Sequence, residues 1–178
     1  MEASQDPESR GDPNLQGGSI MSEVGLDQHD ERILSELQSD ARITMAELGR
    51  RVGLSQPAVT ERVRKLETSG IITGYHAAVD PVRLGYSIRA LVRVGRFDYN
   101  RVVKCIEATP EVINAYNVTG EHSWMLEIVV TDVGHLDQVL RPFCLLTNTS
   151  TAVVLNIARQ GAPVSTPAAV QARRNGGA

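Results

Sequence analysis

The chain has 178 residues, of which 42% are hydrophobic, 22% charged and only 4% aromatic, and its formal net charge is −3. This length suffices for one large domain or two small ones, and the scarcity of aromatic residues argues against a stacking platform for single-stranded nucleic acid. No apolar run reaches the roughly 18 residues of a membrane helix, and no N-terminal signal peptide is recognisable, so we expect a cytoplasmic protein that does not contact a membrane.

The charge is distributed unevenly along the chain. Residues 1–25 contain five acidic residues and one basic residue, are rich in Gly, Pro and Ser, and lack apolar periodicity. This composition predicts a disordered extension, within which Met21 is an alternative native start. Residues 41–75, by contrast, contain six basic and three acidic residues. The local charge, and not the total, sets the electrostatic potential at a binding face.

Two helices are predicted between residues 26 and 53. Asp27 is placed to cap the first helix, whose apolar side contains Ile33, Leu34 and Leu37. The second helix opens with Thr44-Met45-Ala46-Glu47, a capping box in which Thr44 and Glu47 each satisfy a free backbone amide. Gly53 ends this helix.

A third helix is predicted after Ser55, which is placed to cap it. Its buried stripe consists of Val59, Val63 and Leu66. Pro57 is tolerated in the first turn because the amides there lack helical partners, and Gly70 ends the helix. Residues 71–79 follow as a predicted strand, which we interpret as a hinge and not as a wing.

The layout of the second and third helices is typical of a helix-turn-helix. Gly49 is small where the two helices approach, Gly53 permits the positive φ of the turn, and Val59 is the core residue that both helices share. The third helix is therefore predicted to enter the major groove of duplex DNA.

The outward face of the third helix is polar and net basic, because each residue rotates the helix by about 100°. Beside Pro57, the candidate readers of base edges are Gln56, Thr60, Glu61 and Arg64. The candidate phosphate contacts are Arg50, Arg51, Ser55, Arg62 and Lys65. The alternative for this face is ordinary solvation, with an ion pair between Glu61 and Lys65.

A second unit is predicted after the hinge strand. Its elements are strand 87–96, helix 99–108, strand 112–118, strand 123–130, helix 133–145 and strand 151–158. This β-α-β-β-α-β order is ferredoxin-like, with both helices on one face of an antiparallel sheet, and sheet-on-sheet dimerisation would cover the other face. The fold class is α+β, with a winged-helix-like unit at 26–84, the ferredoxin-like domain at 85–160 and a flexible tail at 161–178.

The loop at 117–124 is the part of the second unit least typical of a scaffold. Gly120 allows a tight hairpin, and the amides of such a turn suit a carboxylate, while Glu121 suits an ammonium group. The candidate effector-binding residues are Asn117, Val118, Thr119, Gly120, Glu121, His122, Ser123 and Trp124. The alternative is a solvated hairpin in which Trp124 anchors an interface.

The sequence resembles the Lrp/AsnC family, the feast/famine regulators of bacteria and archaea, over about residues 26–158. The resemblance rests on Leu26-Asp27, Ile33–Ile43, Glu47-Leu48, Arg51–Ser55, Glu61–Glu67, Gly70–Tyr75 and the effector-loop signature Val118-Thr119-Gly120-Glu121. It implies a helix-turn-helix joined by a hinge strand to a ferredoxin-like domain. In the family that domain forms dimers, builds octamers or similar rings, and binds amino acids between dimers.

Two positions depart from the family pattern. The family usually has an acidic residue where this chain has Ser123, and a hydroxyl there changes which ligands fit. The turn before the last strand, often Pro-Gly-like in the family, reads Leu146-Thr147-Asn148. The resemblance thus implies a nucleoid-associated regulator of amino-acid metabolism genes, whose partners are double-stranded DNA, an amino-acid-like effector and further copies of the chain.

Two other functions remain open at this stage. An enzyme on the same fold would need a nucleophile–base pair or a metal cluster, and His122 beside Glu121 is weak support for either. The histidines have no metal-ligand spacing, and Cys105 and Cys144 are expected to be small core residues, so we predict neither a metal nor a cofactor. The other alternative is a nucleoid-architectural protein that binds DNA without an effector.

Overall fold

The structure, a computed structural model, describes residues 25–175. The chain forms two compact units, one up to His76 together with the segment from Pro163 onward, and the other Ala77–Ala162. The sequence places the domain boundary after residue 84 and a flexible tail from 161, whereas the structure divides after His76 and groups the C-terminal segment with the first unit. The predicted extension, including Met21, lies outside the described residues except for Gly25.

The elements in chain order are α1 (Gln28–Ser39), α2 (Met45–Val52), α3 (Gln56–Thr68), β1 (Ile88–Gly95), α4 (Tyr99–Glu107), β2 (Val112–Asn117), β3 (His122–Val130), α5 (Val133–Leu146), β4 (Thr149–Val153) and α6 (Pro167–Asn175). A 3₁₀ turn at Val82–Leu84 precedes β1. Between residues 25 and 175, no helix is both long enough and apolar enough to cross a membrane. The α+β fold class predicted from the sequence is confirmed.

Helix α1 begins with a reciprocal capping box. The Asp30 amide donates to the Asp27 carboxylate at 2.9 Å, and the Asp27 amide donates to the Asp30 carboxylate at 3.2 Å. At α2 only half of the predicted box forms: the Glu47 amide donates to Thr44 Oγ1 at 3.2 Å. The Glu47 carboxylate turns instead to two arginines, whose charged hydrogen bonds are stronger than a bond from a neutral amide.

The turn between α2 and α3 depends on two glycines. Gly53 has φ +76°, in the left-handed region that favours glycine. A Cβ on Gly49 would lie 2.7 Å from the backbone oxygen of Leu54, so the turn itself, more than the helix crossing, requires glycine there. Val59 is fully buried next to this contact, in a core with Ile33, Leu37, Ile43, Leu48, Val52, Val63 and Leu66.

The second unit is a four-stranded antiparallel sheet in the order β2-β3-β1-β4. Along β1, Ala90, Val92 and Val94 are fully buried, whereas Leu91 and Arg93, which point to the opposite face, are exposed. The buried face of the sheet shares one core with α4 and α5, in which Phe143 is the largest fully buried side chain.

Residues 71–79 differ from the predicted hinge strand, because no strand forms there. The amides of Ile71 and Ile72 both donate to the Leu66 carbonyl at 3.0 Å and so complete the end of α3. The rest of the segment has no strand ladder in this chain, and a strand needs a neighbour for its backbone hydrogen bonds.

The last strand and one cysteine also differ from prediction. Strand β4 ends at Val153, opposite Ala90, and not at residue 158. The Val154 amide still donates to the Arg89 carbonyl at 2.8 Å, but β1 begins one residue before Arg89 and is too short to pair with residues up to 158. Cys105 is partly buried against the core, as expected. Cys144 is exposed, so its interpretation as a core residue is wrong; it follows Phe143, which takes the buried position on α5.

Candidate DNA-binding face and effector loop

The structure leaves the proposed reading face of α3 open to solvent. Val59, Val63 and Leu66 are buried on the inner side of the helix. On the outer side the exposed residues are Gln56, Pro57, Thr60, Glu61, Arg64 and Lys65. These side chains belong to consecutive turns of one helix, which the glycine turn and the core hold in place.

Arg64 and Glu61 form the central ion pair of this face. Arg64 Nε donates to Glu61 Oε2 at 2.9 Å, and Arg64 Nη2 donates to Glu61 Oε1 at 2.8 Å. The hydrogen bond from Arg64 lowers the pKa of the Glu61 carboxyl below its usual value. The pairing therefore joins Glu61 to Arg64, one turn away, and not to Lys65 as the alternative interpretation of the sequence supposes.

Thr60 and Ser55 present different groups to solvent. The Thr60 hydroxyl donates to the Gln56 carbonyl at 2.8 Å, an intrahelical bond that occupies its donor. Ser55 is the N-cap residue of α3, but its side chain makes no capping hydrogen bond. Because Pro57 has no N–H, the amides of Gln56 and Ala58 are the free donors of the first turn.

Arg50 and Arg51 are exposed near the end of α2, and Glu47 binds both. Arg50 donates to Glu47 at 2.8 and 2.7 Å, and Arg51 Nε donates to Glu47 Oε1 at 2.8 Å. These hydrogen bonds, first from Arg50 and then from Arg51, lower the pKa of Glu47 to about 2. Arg51 also donates to Glu36 of α1 at 2.9 Å. A DNA phosphate at this corner would compete with two carboxylates.

Arg62 has a different environment from the other candidate phosphate contacts. Its Nη1 lies 2.7 Å from Asp27 Oδ2 and 2.7 Å from Asp30 Oδ1. The side chain is 31% exposed, whereas that of Arg64 is 63% exposed. Arg62 therefore ties α3 to the capping box of α1. This contact was not predicted from the sequence, although two aspartates three residues apart at a helix start are a signal for it.

The candidate effector loop is the hairpin between β2 and β3. Two donors converge on the Ser123 carbonyl: the Val118 amide at 2.8 Å and the Asn117 side-chain amide at 2.9 Å. Gly120 has φ +112°, which other residues rarely adopt. Thr119, Gly120 and Glu121 are exposed, and His122 is partly buried like Val118 and Ser123.

Trp124 is the one candidate effector residue that lies in the core. It is 7% exposed, and its ring centroid is 5.4 Å from that of Tyr99 at the start of α4. The alternation of β3 explains this position, since Leu126, Ile128 and Val130 share its face of the strand. The indole thus belongs to the core of the sheet unit, at the end of β3 that follows the loop.

The opposite face of the sheet carries a partly buried charged cluster. Arg89 Nη1 donates to Glu127 Oε1 at 2.9 Å, and Asn114 Nδ2 donates to Glu127 Oε2 at 2.8 Å. The side chains of Arg89 and Glu127 are only 16% and 18% exposed. In residues 25–175 there is no group of three or more His, Cys, Asp and Glu side chains that could hold a metal ion.

Two family models match the chain. A winged helix-turn-helix DNA-binding model matches residues 26–73, and the Lrp/AsnC ligand binding domain matches residues 89–164. The first match contains α1–α3, and the second contains all of the antiparallel sheet except Ile88, the first residue of β1. The two candidate sites therefore fall in separate family domains.

Individual relatives agree with these matches. The HTH-type transcriptional regulator LrpC of Bacillus subtilis is 36% identical over 133 residues, which cover 74% of this chain and 92% of LrpC. The solved structure of LrpC has a TM-score of 0.72 at 35% identity, over 76% of this chain and 98% of that chain. The relatives are transcriptional regulators and not enzymes.

Two further structural relatives were solved as complexes with methionine. A transcriptional regulator of Neisseria meningitidis in complex with L-Met has a TM-score of 0.72 at 27% identity, over 80% of this chain and 96% of that chain. A feast or famine regulatory protein of Mycobacterium tuberculosis complexed with L-methionine has a TM-score of 0.70 at 32% identity, over 76% and 95%.

Proposed function

The chain belongs to the Lrp/AsnC family of transcriptional regulators, and from this premise we propose that α3 reads a specific DNA sequence under the control of a small effector. The genes regulated are those of amino-acid metabolism, and the effector is an amino acid or a similar molecule. The proposal places the protein at the nucleoid in the cytoplasm. The single observation that carries it is the exposed, polar face of a helix held by a helix-turn-helix core.

Arg64 is the side chain best suited to read a base. Its guanidinium already makes a two-pronged contact with the Glu61 carboxylate, and guanine offers a similar pair of acceptors at O6 and N7 in the major groove. If Arg64 released Glu61 to bind guanine, the Glu61 carboxylate would be available to accept a hydrogen bond from cytosine N4. Gln56 and Thr60 lie on the same exposed face and are proposed to contact neighbouring bases.

The phosphate contacts are proposed to come from both helices of the motif. Lys65 and Arg50 are exposed, and Ser55 stands beside the free amides of α3. At each arginine, a phosphate would displace the carboxylate that the guanidinium already binds, or bind beside it. Each contact therefore contributes less free energy to DNA binding than a contact with an unpaired arginine would. Arg62 is proposed to contribute mainly by fixing the angle of α3, because two aspartates already engage it.

The effector is proposed to bind at the 117–124 loop. Methionine complexes of two relatives support an amino-acid ligand. The exposed turn Thr119–Glu121 offers main-chain groups for the ligand carboxylate and the Glu121 carboxylate for its ammonium. Asn117, Val118 and Ser123 hold the turn, His122 adjoins it, and Trp124, the next residue of β3, is buried in the core.

The same proposal includes assembly into dimers and then octamers or similar rings. The open sheet face carries exposed Leu91 and Tyr116 around the Arg89–Glu127–Asn114 cluster, and helices cover the other face. A second sheet packed on this face would bury the apolar side chains and keep the charged cluster satisfied. A dimer would also present two α3 helices to two half-sites.

The decisive experiment measures DNA binding by fluorescence anisotropy. The duplex upstream of the chain's own gene is compared with a shuffled duplex of the same composition, at one fixed salt concentration and with each amino acid in turn. We expect at least about a hundredfold preference for the upstream duplex and a change in affinity with a subset of amino acids. Equal affinity for both duplexes and no response to any amino acid would identify a nucleoid-architectural protein instead.

A further inference from the structure

The C-terminal segment returns to the unit that contains the helix-turn-helix. The second unit ends at Ala162, and the residues from Pro163 onward group with the first unit. The match to the ligand-binding family model ends at residue 164, so α6 lies beyond it. Helix α6 is therefore an addition to the two matched domains, and the proposed function gives it no role.

The side chain of Gln38, near the end of α1, binds the main chain of this segment. The Val164 amide donates to Gln38 Oε1 at 2.7 Å, and Gln38 Nε2 donates to the Val164 carbonyl at 2.9 Å. Gln38 Nε2 also donates to the Leu34 carbonyl of its own helix at 3.2 Å. The carboxamide thus pairs with both main-chain groups of one residue, as the backbone of an adjacent β-strand would.

Thr166 provides a second attachment two residues later. Its hydroxyl donates to the carboxylate of Glu31, which lies about two turns before Gln38 on the same face of α1. The same oxygen accepts from the Ala169 amide at 3.2 Å, and the Thr166 carbonyl accepts from the Val170 amide at 3.0 Å. Thr166 therefore starts α6 and fastens it to α1 at the same time.

The attached segment forms one wall of an apolar groove. A cavity of about 660 Å³ lies between α1 and residues 71–76, and its walls include Leu26, Leu34, Leu37, Ile72, Val164 and Thr166. Four of these residues, Leu26, Leu34, Leu37 and Ile72, also belong to the core of the helix-turn-helix or pack against it. Binding of the segment is thereby connected to the packing of α1.

We propose that residues 163–175 are a strap that connects the DNA-binding unit to the sheet unit a second time. The first connection is the main chain between His76 and Ala77, and the second is the strap held on α1 by Gln38 and Glu31. A unit held at two points has fewer orientations than a unit held at one. It therefore loses less freedom on binding DNA, which strengthens binding. This role rests only on DNA binding and not on an effector.

The test releases the strap in the full-length chain without touching α3. Val164→Pro removes the amide that donates to Gln38. A double variant, Gln38→Ala with Thr166→Ala, removes the side chains that form the two attachments. Gln171→Ala, at an exposed position on α6, is the matched control. Hydrogen exchange is followed in segments 163–175 and 45–68, and affinity is measured with one duplex that the unmutated protein binds.

We expect both release variants to exchange faster in 163–175 with unchanged exchange in 45–68, and to bind DNA about threefold to tenfold more weakly. The control should match the unmutated protein in both measurements. Exchange in 163–175 that is equally fast in the unmutated protein, or release with unchanged affinity, would overturn the proposal. An unmutated protein that binds no duplex would contradict the proposed function, whereas a freely exchanging segment in a DNA-binding protein would remove the strap alone.

Discussion

Helix α3 and the 117–124 loop are the two candidate binding elements, and they differ in how much of each is held in place by contacts within this chain. Helix α3 lies on a buried core, and Arg62 ties it to the start of α1. The loop is held by two hydrogen bonds to the Ser123 carbonyl and is followed by buried Trp124, but its turn at Thr119–Glu121 is exposed. A rigid helix can read DNA with its own side chains, whereas an exposed turn needs further groups to enclose a small ligand.

This difference separates the expected effects of mutation. In α3, individual side chains should control sequence preference, because the buried core fixes the helix that carries them. In the loop, backbone shape should matter more than any single side chain. Removal of the frame under α3 should therefore have the largest effect, followed by loss of a reader, a change of the turn and the loss of one surface ion pair.

Leu48→Ala removes a fully buried side chain from the frame beneath α3. We expect a loss of about 2–5 kcal/mol in the free energy of unfolding of this unit, and loss of DNA binding with it. Urea unfolding followed by circular dichroism measures the change. Leu155→Ala, at a residue that is 93% exposed, is the control and should change stability by less than about 0.5 kcal/mol. Equal unfolding midpoints for the two variants would contradict the assigned core.

Arg64→Ala should weaken binding to the preferred duplex about tenfold to a hundredfold and reduce the preference over a shuffled duplex. Lys65→Ala, at the adjacent position, should weaken binding to both duplexes similarly. It should also reduce the slope of log affinity against log salt concentration by about one, since one fewer counterion is released. Anisotropy titrations at several salt concentrations separate these patterns. An unchanged preference in Arg64→Ala would show that Arg64 does not read a base.

Gly120→Val should abolish the response to the effector, because a β-branched residue cannot readily adopt φ +112° and the turn must change shape. DNA binding without effector should persist, since α3 lies in the other unit. Calorimetric titration with the responding amino acid measures the loss. Gly25→Val, where a Cβ would meet nothing within 4 Å, is the control. A normal effector response in Gly120→Val would argue against the loop as the binding site.

Glu47→Gln should change the dependence of stability on pH. Hydrogen bonds from Arg50 and Arg51 lower the pKa of Glu47 from 4.5 to about 2. Because the folded pKa is the lower one, the stabilisation is present above about pH 4.5 and is lost as the pH falls towards 2. The variant should therefore lose less stability than the unmutated protein between pH 5 and about 3. Urea unfolding at each pH measures it, with Glu107→Gln as an exposed control, and parallel curves would contradict the prediction.

The local elements were largely predictable because their signals are local. Helical periodicity, the cap residues Asp27 and Thr44, and the positive φ of Gly53 concern neighbouring residues of the chain. The strands of the second unit follow from alternation, within two residues at most ends. The exception is β4, which ends at Val153 opposite Ala90, because β1 has only two residues beyond that pair and cannot support a strand up to residue 158.

The candidate sites were predictable only as faces and loops. Rotation around a helix determines that Arg64 and Lys65 point outward, so their exposure follows from the pattern. The partner of each charge does not follow. Arg62 binds Asp27 and Asp30, which lie 32 or more residues away in the sequence. Glu61 pairs with Arg64 and not with Lys65 because the guanidinium fork donates to both carboxylate oxygens.

The amino-acid sequence by itself determined the helix-turn-helix, the ferredoxin-like order of elements and the family, since each depends on spacing along the chain. Only the tertiary structure decided that Arg62 joins α3 to α1, that Trp124 packs against Tyr99 in the core and that Pro163–Asn175 returns to α1. These contacts join residues far apart in sequence. Their formation depends on which surfaces the packed core brings together, and periodicity carries no information about that.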